Sequence, residues 1–344
     1  MIKINMFLPI TPYTLSISER IIAAQTHDNR KSRKNILINP HGLNFNKDYW
    51  DEVYIGSASR KVSDKKVERY INFSWQIITF LKIYKQIKSL KNSSLDFYYV
   101  DLAHVLSNSI FFGFNKIVNM YVMEDGLLNY YKVTLKNKML DKKNTNTFLN
   151  YIGLPSRKFK GDITGVEMDV VNGQYVYFPD LAFTPKKSIQ IPFKKLSYDL
   201  IDRVLILGQE PIVGLITVTS YLNSLCNVID DSLIDFKDYK FYYKPHHHGK
   251  NKLANKFLQK KLGEKLNIIE DNTPIHMLVA EIKPSVVISF GSTASLNLKL
   301  ILPEKVVSRV YLLRSSVFPI NNEQETMFFK AGISIFELDC NSKG

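Results

Sequence analysis

Short apolar runs, each typical of a buried strand, alternate with longer amphipathic segments along most of the chain. In the first half, this pattern predicts strands at residues 2–9, 35–39, 52–55, 96–100, 117–123 and 175–178. It predicts helices at residues 16–25, 64–89 and 102–112, and a mobile loop at the polar residues 136–147. Strands that alternate with helices at this spacing form parallel sheets, so we expect an α/β domain.

Prolines at 179, 185 and 192 mark a linker, after which a second alternating unit begins. The pattern there predicts strands at residues 203–207, 239–243, 266–269, 286–289 and 306–313, the last being the final strand. Helices are predicted at residues 213–227, 251–262 and 274–282, the last with Thr273 as N-cap and Pro274 at its first position. We therefore divide the 344 residues into two α/β domains, 1–195 and 196–344, with the C-terminal segment as a candidate for packing back on the first domain.

Three polar runs directly follow predicted strands: Glu124-Asp125-Gly126, Lys244-Pro245-His246 and Gly291-Ser292-Thr293. Ligands of open α/β sheets bind outside the carboxyl ends of the strands, so the three runs together indicate a site in the cleft between two domains. The acidic run offers a general base, and a helix that starts at Ser292 and Thr293 offers N–H groups and hydroxyls to a phosphate. Each run also has an ordinary structural explanation, a solvated turn for the acids and a plain N-cap for the hydroxyls.

The run His246-His247-His248 raises the question of a metal site. In an extended segment only His246 and His248 point the same way, and no further cluster of His, Cys or Asp at matching spacing accompanies them. We expect instead one functional histidine, His246, that hydrogen-bonds or protonates a leaving phosphate near neutral pH.

Positive charge is concentrated in the first half of the chain. The net charge is +14, and residues 1–195 hold 29 Lys and Arg against 16 Asp and Glu, whereas the remainder holds 17 against 16. A generally lysine-rich composition would spread this charge evenly, so we expect the first half to meet a polyanion: nucleic acid, an anionic membrane face or an acidic polysaccharide. Cys226 and Cys340 give no disulfide framework or zinc signature, which indicates a cytoplasmic protein. The sequence predicts neither a membrane-spanning helix nor, at residues 1–10, a signal peptide.

With the three motifs in this order, the chain resembles the bacterial sialyltransferases, whose marks are a D/E-D/E-G motif, a His-Pro motif and a Ser/Thr pair. The resemblance implies a GT-B fold, in which two Rossmann-like domains face each other across a cleft, and CMP-sialic acid as the donor, with no metal or other cofactor. It makes Glu124 the general base, with Asp125 as the alternate, and puts His246 at the His-Pro position, although His247 stands where the family has proline. It implies donor contacts from Lys244 and Pro245 to the nucleotide, from Ser292 and Thr293 to the phosphate and, by looser analogy, from Gly208, Gln209 and Glu270, the last to the ribose hydroxyls.

The uneven charge narrows the resemblance to the capsular polysialyltransferases. These enzymes extend α2,8- or α2,9-linked polysialic acid at the inner face of the cytoplasmic membrane, alongside capsule-export proteins, and either linkage is compatible with this sequence. A strongly basic first domain suits an acceptor that carries one carboxylate per sugar, to which sialic acid is transferred with inversion. The candidate acceptor-binding residues are Arg30, Lys31, Arg33, Lys34, Lys82, Lys85 and Lys88, although a helical row of lysines is more often a solvated face.

Two other functions fit parts of the pattern. A lipooligosaccharide sialyltransferase with a neutral galactose acceptor would share the motifs but would need no polyanion groove. A nucleic-acid-binding protein would use the basic half and bind RNA or DNA with steep salt dependence, but it leaves Glu124, His246 and Ser292 without a role. Polymer formation on a sialic acid primer separates a polysialyltransferase from both.

Overall fold

The computed structural model describes residues 3–25, 32–57, 66–90, 94–136, 139–209, 217–246, 252–270, 273–314 and 322–339. The chain forms two compact units, Met1–Pro192 and Phe193–Gly344. Each unit contains one sheet, and the described strand pairs in both sheets are parallel. The predicted α/β architecture of two Rossmann-like parallel sheets is therefore confirmed.

In chain order, the strands of the first sheet are added to one side of β1 and then to its other side. Its described strands are β1 (Lys3–Leu8), β2 (Arg33–Asn39), β3 (Glu52–Ile55), β4 (Ser94–Tyr99), β5 (Ile117–Met123), β6 (Val171–Val176) and β7 (Ser188–Gln190). Their order in space is β3-β2-β1-β4-β5-β6-β7, so the direction of winding reverses between β1 and β4. Sheets of this kind bind ligands beside that reversal, outside the carboxyl ends of the strands.

The helices of the first unit are α1 (Pro12–Ala23), α2 (Lys66–Lys88), α3 (Val105–Gly113) and α4 (Lys143–Tyr151). Helix α1 begins earlier than the predicted residue 16, because a capping box starts it. The Thr11 hydroxyl accepts from the Thr14 N–H, the Thr14 side chain bonds back to the Thr11 N–H, and Pro12 occupies the first turn. This earlier start puts Tyr13 in the first turn of α1, directly after β1.

Two segments of the first unit that were predicted to lack regular structure contain it. The predicted loop at residues 136–147 includes the start of α4, because Leu149 is buried and the Asn146 amide donates to the Leu140 carbonyl and accepts from the Ser156 hydroxyl. A buried asparagine hides such a helix from a pattern based on apolar residues. The predicted linker contains β7, which pairs with β6.

The second sheet has the same winding order as the first. Its described strands are β8 (Ile201–Leu207), β9 (Lys240–Lys244), β10 (Leu266–Ile268), β11 (Pro284–Ser289), β12 (Val307–Arg314) and β13 (Ser334–Asp339). Their order is β10-β9-β8-β11-β12-β13, with the reversal between β8 and β11. The helices are α5 (Val218–Phe236), α6 (Lys252–Leu262), α7 (Ile275–Ile282), α8 (Thr293–Ile301) and α9 (Asn322–Lys330).

Successive residues of β8 belong to different halves of the second core. Val204 and Ile206 pack with the cluster that includes residues of α5 and α6, whereas Leu205 and Leu207 pack with residues of α7 and α8. Side chains alternate across a strand, so helices cover both faces of this sheet. Its strands therefore read as continuous apolar runs, which explains why the sequence pattern located five of the six described strands.

Three boundaries in the second unit differ from the prediction. Helix α5 runs to Phe236 instead of ending at 227, because buried Val228, Ile229 and Ser232 continue its inner face. The N-cap of α7 is Pro274, one residue later than predicted. The prediction that residues 306–313 form the final strand was wrong, since α9 and β13 follow, and β13 pairs with β12 in the second sheet.

Candidate functional site

The acidic run lies at the carboxyl edge of the first sheet. Strand β5 ends at Met123, and the Glu124 N–H continues the ladder by donating to the Tyr175 carbonyl at 3.0 Å. Gly126 then adopts φ +73°, a left-handed conformation that glycine enters without steric cost. The glycine of the motif is therefore needed for the chain to turn immediately after the two acids.

The Glu124 carboxylate is completely buried and is held by three donors. Tyr13 Oη donates to Glu124 Oε1 at 2.6 Å, and Tyr130 Oη donates to Oε2 at 2.5 Å. The backbone N–H of Tyr177 also donates to Oε2, at 2.8 Å. An ionised carboxylate offers about four lone-pair sites, so these three bonds leave one acceptor position, which belongs to Oε1.

Burial raises the pKa of Glu124 from its usual 4.5 to about 7, because the apolar surroundings disfavour the charged form. The hydroxyls of Tyr13 and Tyr130 and the Tyr177 N–H oppose that rise, and the negative charge of Asp125 adds to it. A carboxylate whose pKa lies near 7 can both accept and release a proton at physiological pH. Strong pKa shifts of this kind cluster at functional sites.

Asp125 has a different environment from its neighbour. The residue is only partly buried, and its N–H donates to Asn129 Oδ1 at 2.9 Å. Asn129 in turn donates from Nδ2 to Gln174 at 3.3 Å, and its carbonyl accepts from the Phe183 N–H. The acidic loop is thus tied to β6 and to the segment that follows it. Of the two carboxylates, that of Asp125 is the more accessible to solvent.

The burial of Glu124 leads to a prediction about stability. The pKa is higher in the folded than in the unfolded state, so the contribution of Glu124 to stability is complete below pH 4.5 and is lost as the pH rises through 7. A shift of this size corresponds to about 3 kcal/mol. We expect wild-type protein to lose about that much free energy of unfolding between pH 4.5 and 8 relative to Glu124→Gln, as measured by urea unfolding. The exposed Glu264→Gln serves as the control, and identical pH dependence of wild type and Glu124→Gln would contradict the prediction.

Sequence reasoning missed the three partners of Glu124. Tyr13 could have been found, because Thr11-Pro12 with Thr14 three residues after the cap is a helix-start signature. Tyr130 lies six residues after Glu124, where a short 3₁₀ turn at Gly126–Asn129 brings it back to the carboxylate. The third partner is the backbone N–H of Tyr177, just after β6. No residue type in a sequence marks a backbone N–H as a partner of a side chain.

Three strand ends of the second unit lie level with one another. Leu207 of β8 pairs with both Lys244 of β9 and Ser289 of β11. The residues that follow, including Gly208 and Pro245, therefore lie side by side at the carboxyl edge, about 5 Å apart between neighbouring strands. This is the edge beside the reversal of strand order, where α/β sheets bind nucleotides.

Gly208 and Gln209 sit in the middle of this edge. A Cβ on Gly208 would come within 2.4 Å of the hydroxyl of buried Tyr243, so a larger residue does not fit. The Gln209 N–H donates to Tyr221 Oη at 3.2 Å, but Gln209 Oε1 is buried and has no hydrogen-bond partner among the described residues. A buried acceptor without a partner among the described residues is unusual.

Ser292 and Thr293 open helix α8. Gly291 has φ +67°, and Ser292 is the N-cap, with Oγ accepting from the Ala294 N–H at 3.2 Å. The structural explanation, a plain N-cap, is therefore correct for Ser292. It does not compete with phosphate binding, because the cap uses a lone pair and leaves the O–H hydrogen to donate. The first-turn N–H groups of the helix have no intrahelical partners and favour an anion.

The remaining predicted donor residues lie at the same edge of the second sheet. Lys244 ends β9, and Pro245 and His246 follow it, all three partly buried. Glu270 is exposed two residues after β10, the neighbour of β9. Among the described residues, no three His, Cys, Asp or Glu side chains are grouped to bind one metal ion, and His247 and His248 lie outside those residues.

The predicted acceptor residues that the structure describes do not lie at the acidic site. Arg33 and Lys34 begin β2, and Arg33 pairs with Lys3 at the amino edge of the sheet, whereas Glu124 follows the carboxyl end of β5. A strand rises about 3.3 Å per residue, so roughly 20 Å separates them along the strands. Lys34 is also paired with Glu52. Arg30 and Lys31 lie outside the described residues.

The lysine row of α2 lies in the last two turns of that helix. Lys82, Lys85 and Lys88 are all exposed, and Lys88 stands six residues before Ser94, where β4 begins at the amino edge. A helix between parallel strands returns the chain from the carboxyl edge to the amino edge, so its last turns lie far from the acids. No helix within the described part of the chain is long and apolar enough to cross a membrane.

Comparisons with known proteins agree with this architecture. The sialyltransferase from Photobacterium damselae, in a structure of its GT-B domain, matches with a TM-score of 0.58 at 13% identity, covering 98% of this chain and 100% of that chain. UDP-N-acetylglucosamine 2-epimerase from Rickettsia bellii matches with a TM-score of 0.51 at 13% identity, covering 92% and 80%. These likenesses show that the fold is GT-B.

The sequence comparisons establish the family. No curated protein matches the chain. The profile of the family described as alpha-2,8-polysialyltransferase matches residues 44–311, which is 268 of the 344 residues. The chain therefore belongs to the alpha-2,8-polysialyltransferase family, and it is a sialyltransferase that depends on CMP-sialic acid.

Proposed function

We propose that the protein transfers sialic acid from CMP-sialic acid to the non-reducing end of an oligo- or polysialic acid acceptor, with inversion and without a metal. The observation that carries the proposal is the family match, within which Glu124, His246 and Ser292 all fall. The family description favours an α2,8 linkage. The biological setting that we propose is capsule synthesis at the inner face of the cytoplasmic membrane, in contact with capsule-export proteins.

In this proposal Glu124 is the base that receives the proton of the acceptor hydroxyl. The hydroxyl oxygen bonds to the anomeric carbon from the face opposite CMP, the bond to the phosphate oxygen breaks, and CMP leaves with the electron pair. Glu124 is completely buried, so the proton reaches it through Tyr13, which is partly exposed and already donates to Oε1. Tyr13 gives its proton to Glu124 as it takes the proton of the acceptor.

The second unit stabilises the charge that develops on CMP. Leaving CMP gains a second negative charge on its phosphate, and the Ser292 and Thr293 hydroxyls, the N-terminus of α8 and His246 supply donors for it. One well-placed donor of this kind is worth about 3–4 kcal/mol. The donor carries a single phosphate, which hydroxyl and N–H groups can neutralise without the metal ion that a diphosphate commonly needs. Gln209 Oε1 is available to a donor hydroxyl or amine.

The first unit supplies the acceptor side of the reaction. The guanidinium of Arg20 lies 6.0 Å from the ring centre of Tyr177, whose N–H binds Glu124. Arg20 is thus a partly exposed cation near the ring of a residue that binds Glu124, and we assign it to the carboxylate of the terminal sialic acid of the acceptor. This assignment replaces Arg33, Lys34 and the α2 lysines, which lie toward the opposite edge of the sheet.

A primer-extension assay tests the proposed function. We expect the full chain, given CMP-sialic acid and a fluorescent oligosialic acid primer, to produce a ladder of longer chains in EDTA as well as in magnesium. The products should be degraded by an α2,8-specific endosialidase. A galactose-terminated primer of equal length is the control. Single additions to that primer, with no extension of oligosialic acid, would instead show the neutral-acceptor activity.

A further inference from the structure

Helix α2 carries a continuous apolar stripe on its outward face. Ile71, Trp75 and Ile78 are 62%, 54% and 44% exposed. Their spacing of four and three residues puts them on one side of the helix, one turn apart. Large apolar side chains that are exposed singly are common, but three in a row along one helix face mark an interaction surface.

The same face becomes basic toward the end of the helix. Lys82 follows Ile78 by four residues, and Lys85 follows Lys82 by three, so both continue the spacing of the apolar stripe. Lys82, Lys85 and Lys88, which is one turn farther on, are all exposed. We call these six residues the α2 outer face: Ile71, Trp75, Ile78, Lys82, Lys85 and Lys88.

The outer face is not needed to hold the helix on the protein. The opposite face already supplies the core contacts, through the buried side chains of Ile77, Phe80, Ile83, Tyr84 and Ile87. A surface helix with one buried apolar face normally presents polar residues on the other. The outer face departs from that rule over two turns, so its apolar side chains are accessible to a partner.

The chemistry of the outer face selects the partner. Isoleucine and tryptophan insert into the boundary between headgroups and acyl chains, and tryptophan is enriched at that boundary. Lysines beside such residues are attracted to anionic headgroups. An acidic polysaccharide would use the lysines but gives no role to exposed isoleucines. Apolar residues followed by a cluster of lysines therefore complement an anionic lipid surface.

We propose that the α2 outer face docks the protein on an anionic lipid bilayer, with Ile71, Trp75 and Ile78 in the interface and the lysines on the headgroups. This proposal depends on α2 alone and not on the proposed reaction, so each can fail without the other. It also gives the lysine row a role at the place where the structure puts it, away from Glu124.

Vesicle binding by the full chain tests the proposal. We expect cosedimentation with vesicles of phosphatidylcholine and phosphatidylglycerol (70:30), weak binding to pure phosphatidylcholine, and loss of binding as salt rises. Each lysine near such a surface changes the partition coefficient about fivefold, so Lys82→Gln/Lys85→Gln/Lys88→Gln should lower it by about 100-fold. Trp75→Ser/Ile78→Ser should lower it by at least about tenfold, because the apolar insertion is lost.

Matched controls come from the second unit. Lys256→Gln/Lys260→Gln/Lys305→Gln removes the same charge from exposed positions, and Ile234→Ser/Phe329→Ser removes exposed apolar groups. Both should bind vesicles like wild type. Circular dichroism and melting temperature check that every variant is folded.

A second measurement reports on the apolar part directly. The chain has two tryptophans, of which Trp50 is buried and Trp75 exposed. In a Trp50→Phe variant, vesicles should shift the emission of Trp75 to shorter wavelength. The proposal would be overturned if the wild-type protein did not bind the anionic vesicles. It would also be overturned if both outer-face variants bound them as tightly as wild type. A dimer in lipid-free solution that Trp75→Ser/Ile78→Ser makes monomeric would overturn it too, as would shortened products from the triple lysine variant with vesicle binding intact.

Discussion

We expect Glu124→Gln to lower kcat for sialyl transfer by about 10²–10⁴-fold, the range that general base catalysis contributes. Glutamine keeps the size of the side chain and an oxygen that can accept from the Tyr177 N–H, but it cannot take a proton at neutral pH. The residue is completely buried. Tyr130 can keep donating to the oxygen that also accepts from the Tyr177 N–H, and the Tyr13 hydroxyl, on the Oε1 side, can rotate to accept from the new amide. The loss is therefore chemical and not a loss of the fold.

Asp125→Asn is the matched variant, because it makes the same chemical change one residue away in a partly exposed carboxylate. We expect it to lower kcat by less than about tenfold. Binding of CMP, followed by calorimetry, should be unchanged in both variants, since the donor residues belong to the second unit. A large loss in Asp125→Asn together with near-normal turnover in Glu124→Gln would make Asp125 the base.

The sequence located most of what defines the second unit. Its strands are covered on both faces, so they read as apolar runs whose ends could be placed within a few residues. Once those ends are known, a parallel sheet brings Gly208, Lys244 and Ser292 to one edge without further information. This is why motifs 84 residues apart, at Gly208 and Ser292, predict a single site from the sequence alone.

The sequence did not show what surrounds Glu124. Whether an acid after a strand is buried depends on residues that arrive from elsewhere in the chain, here Tyr13 from α1 and Tyr177 after β6. Nothing in residue type distinguishes a tyrosine whose ring packs in the core from one whose hydroxyl holds a carboxylate. The raised pKa of Glu124 follows from that burial and was equally invisible.

The position of the lysine row relative to Glu124 could not be predicted for a different reason. Lysines spaced three residues apart are predicted to share a helix face. The spacing does not tell whether they lie at the end of the helix near Glu124, because that depends on the direction of α2 between its two parallel strands. The pattern that was overlooked is the one just before it. The sequence alone does not tell which apolar residues of α2 face inward, and only the exposure of Ile71, Trp75 and Ile78 shows that the inward face is formed by other residues.

Tyr13→Phe separates a proton relay from simple support of the carboxylate. The Tyr13 hydroxyl donates to Glu124 Oε1, and the Tyr130 hydroxyl donates to Oε2. Both bonds lower the pKa of Glu124 against the effect of burial, so removing either one raises that pKa. In Tyr13→Phe and in Tyr130→Phe alike, the rise of kcat with pH, expected near pH 7 in wild type, should move to higher pH, because the base must be ionised to act.

The two variants should differ once Glu124 is ionised. Tyr130 is buried beside the carboxylate, so Tyr130→Phe should recover wild-type kcat on the high-pH plateau. Tyr13 is the partly exposed partner and carries the proton in the proposed relay, so Tyr13→Phe should stay at least about 10²-fold slower at every pH. In mixtures of H2O and D2O, a plot of the wild-type rate against the deuterium fraction should curve below a straight line, because two protons move in the step. A linear plot would mean that only one proton moves. Equal plateaus for both variants, with a linear wild-type dependence, would show that the acceptor hydroxyl reaches Glu124 directly and that Tyr13 only positions the carboxylate.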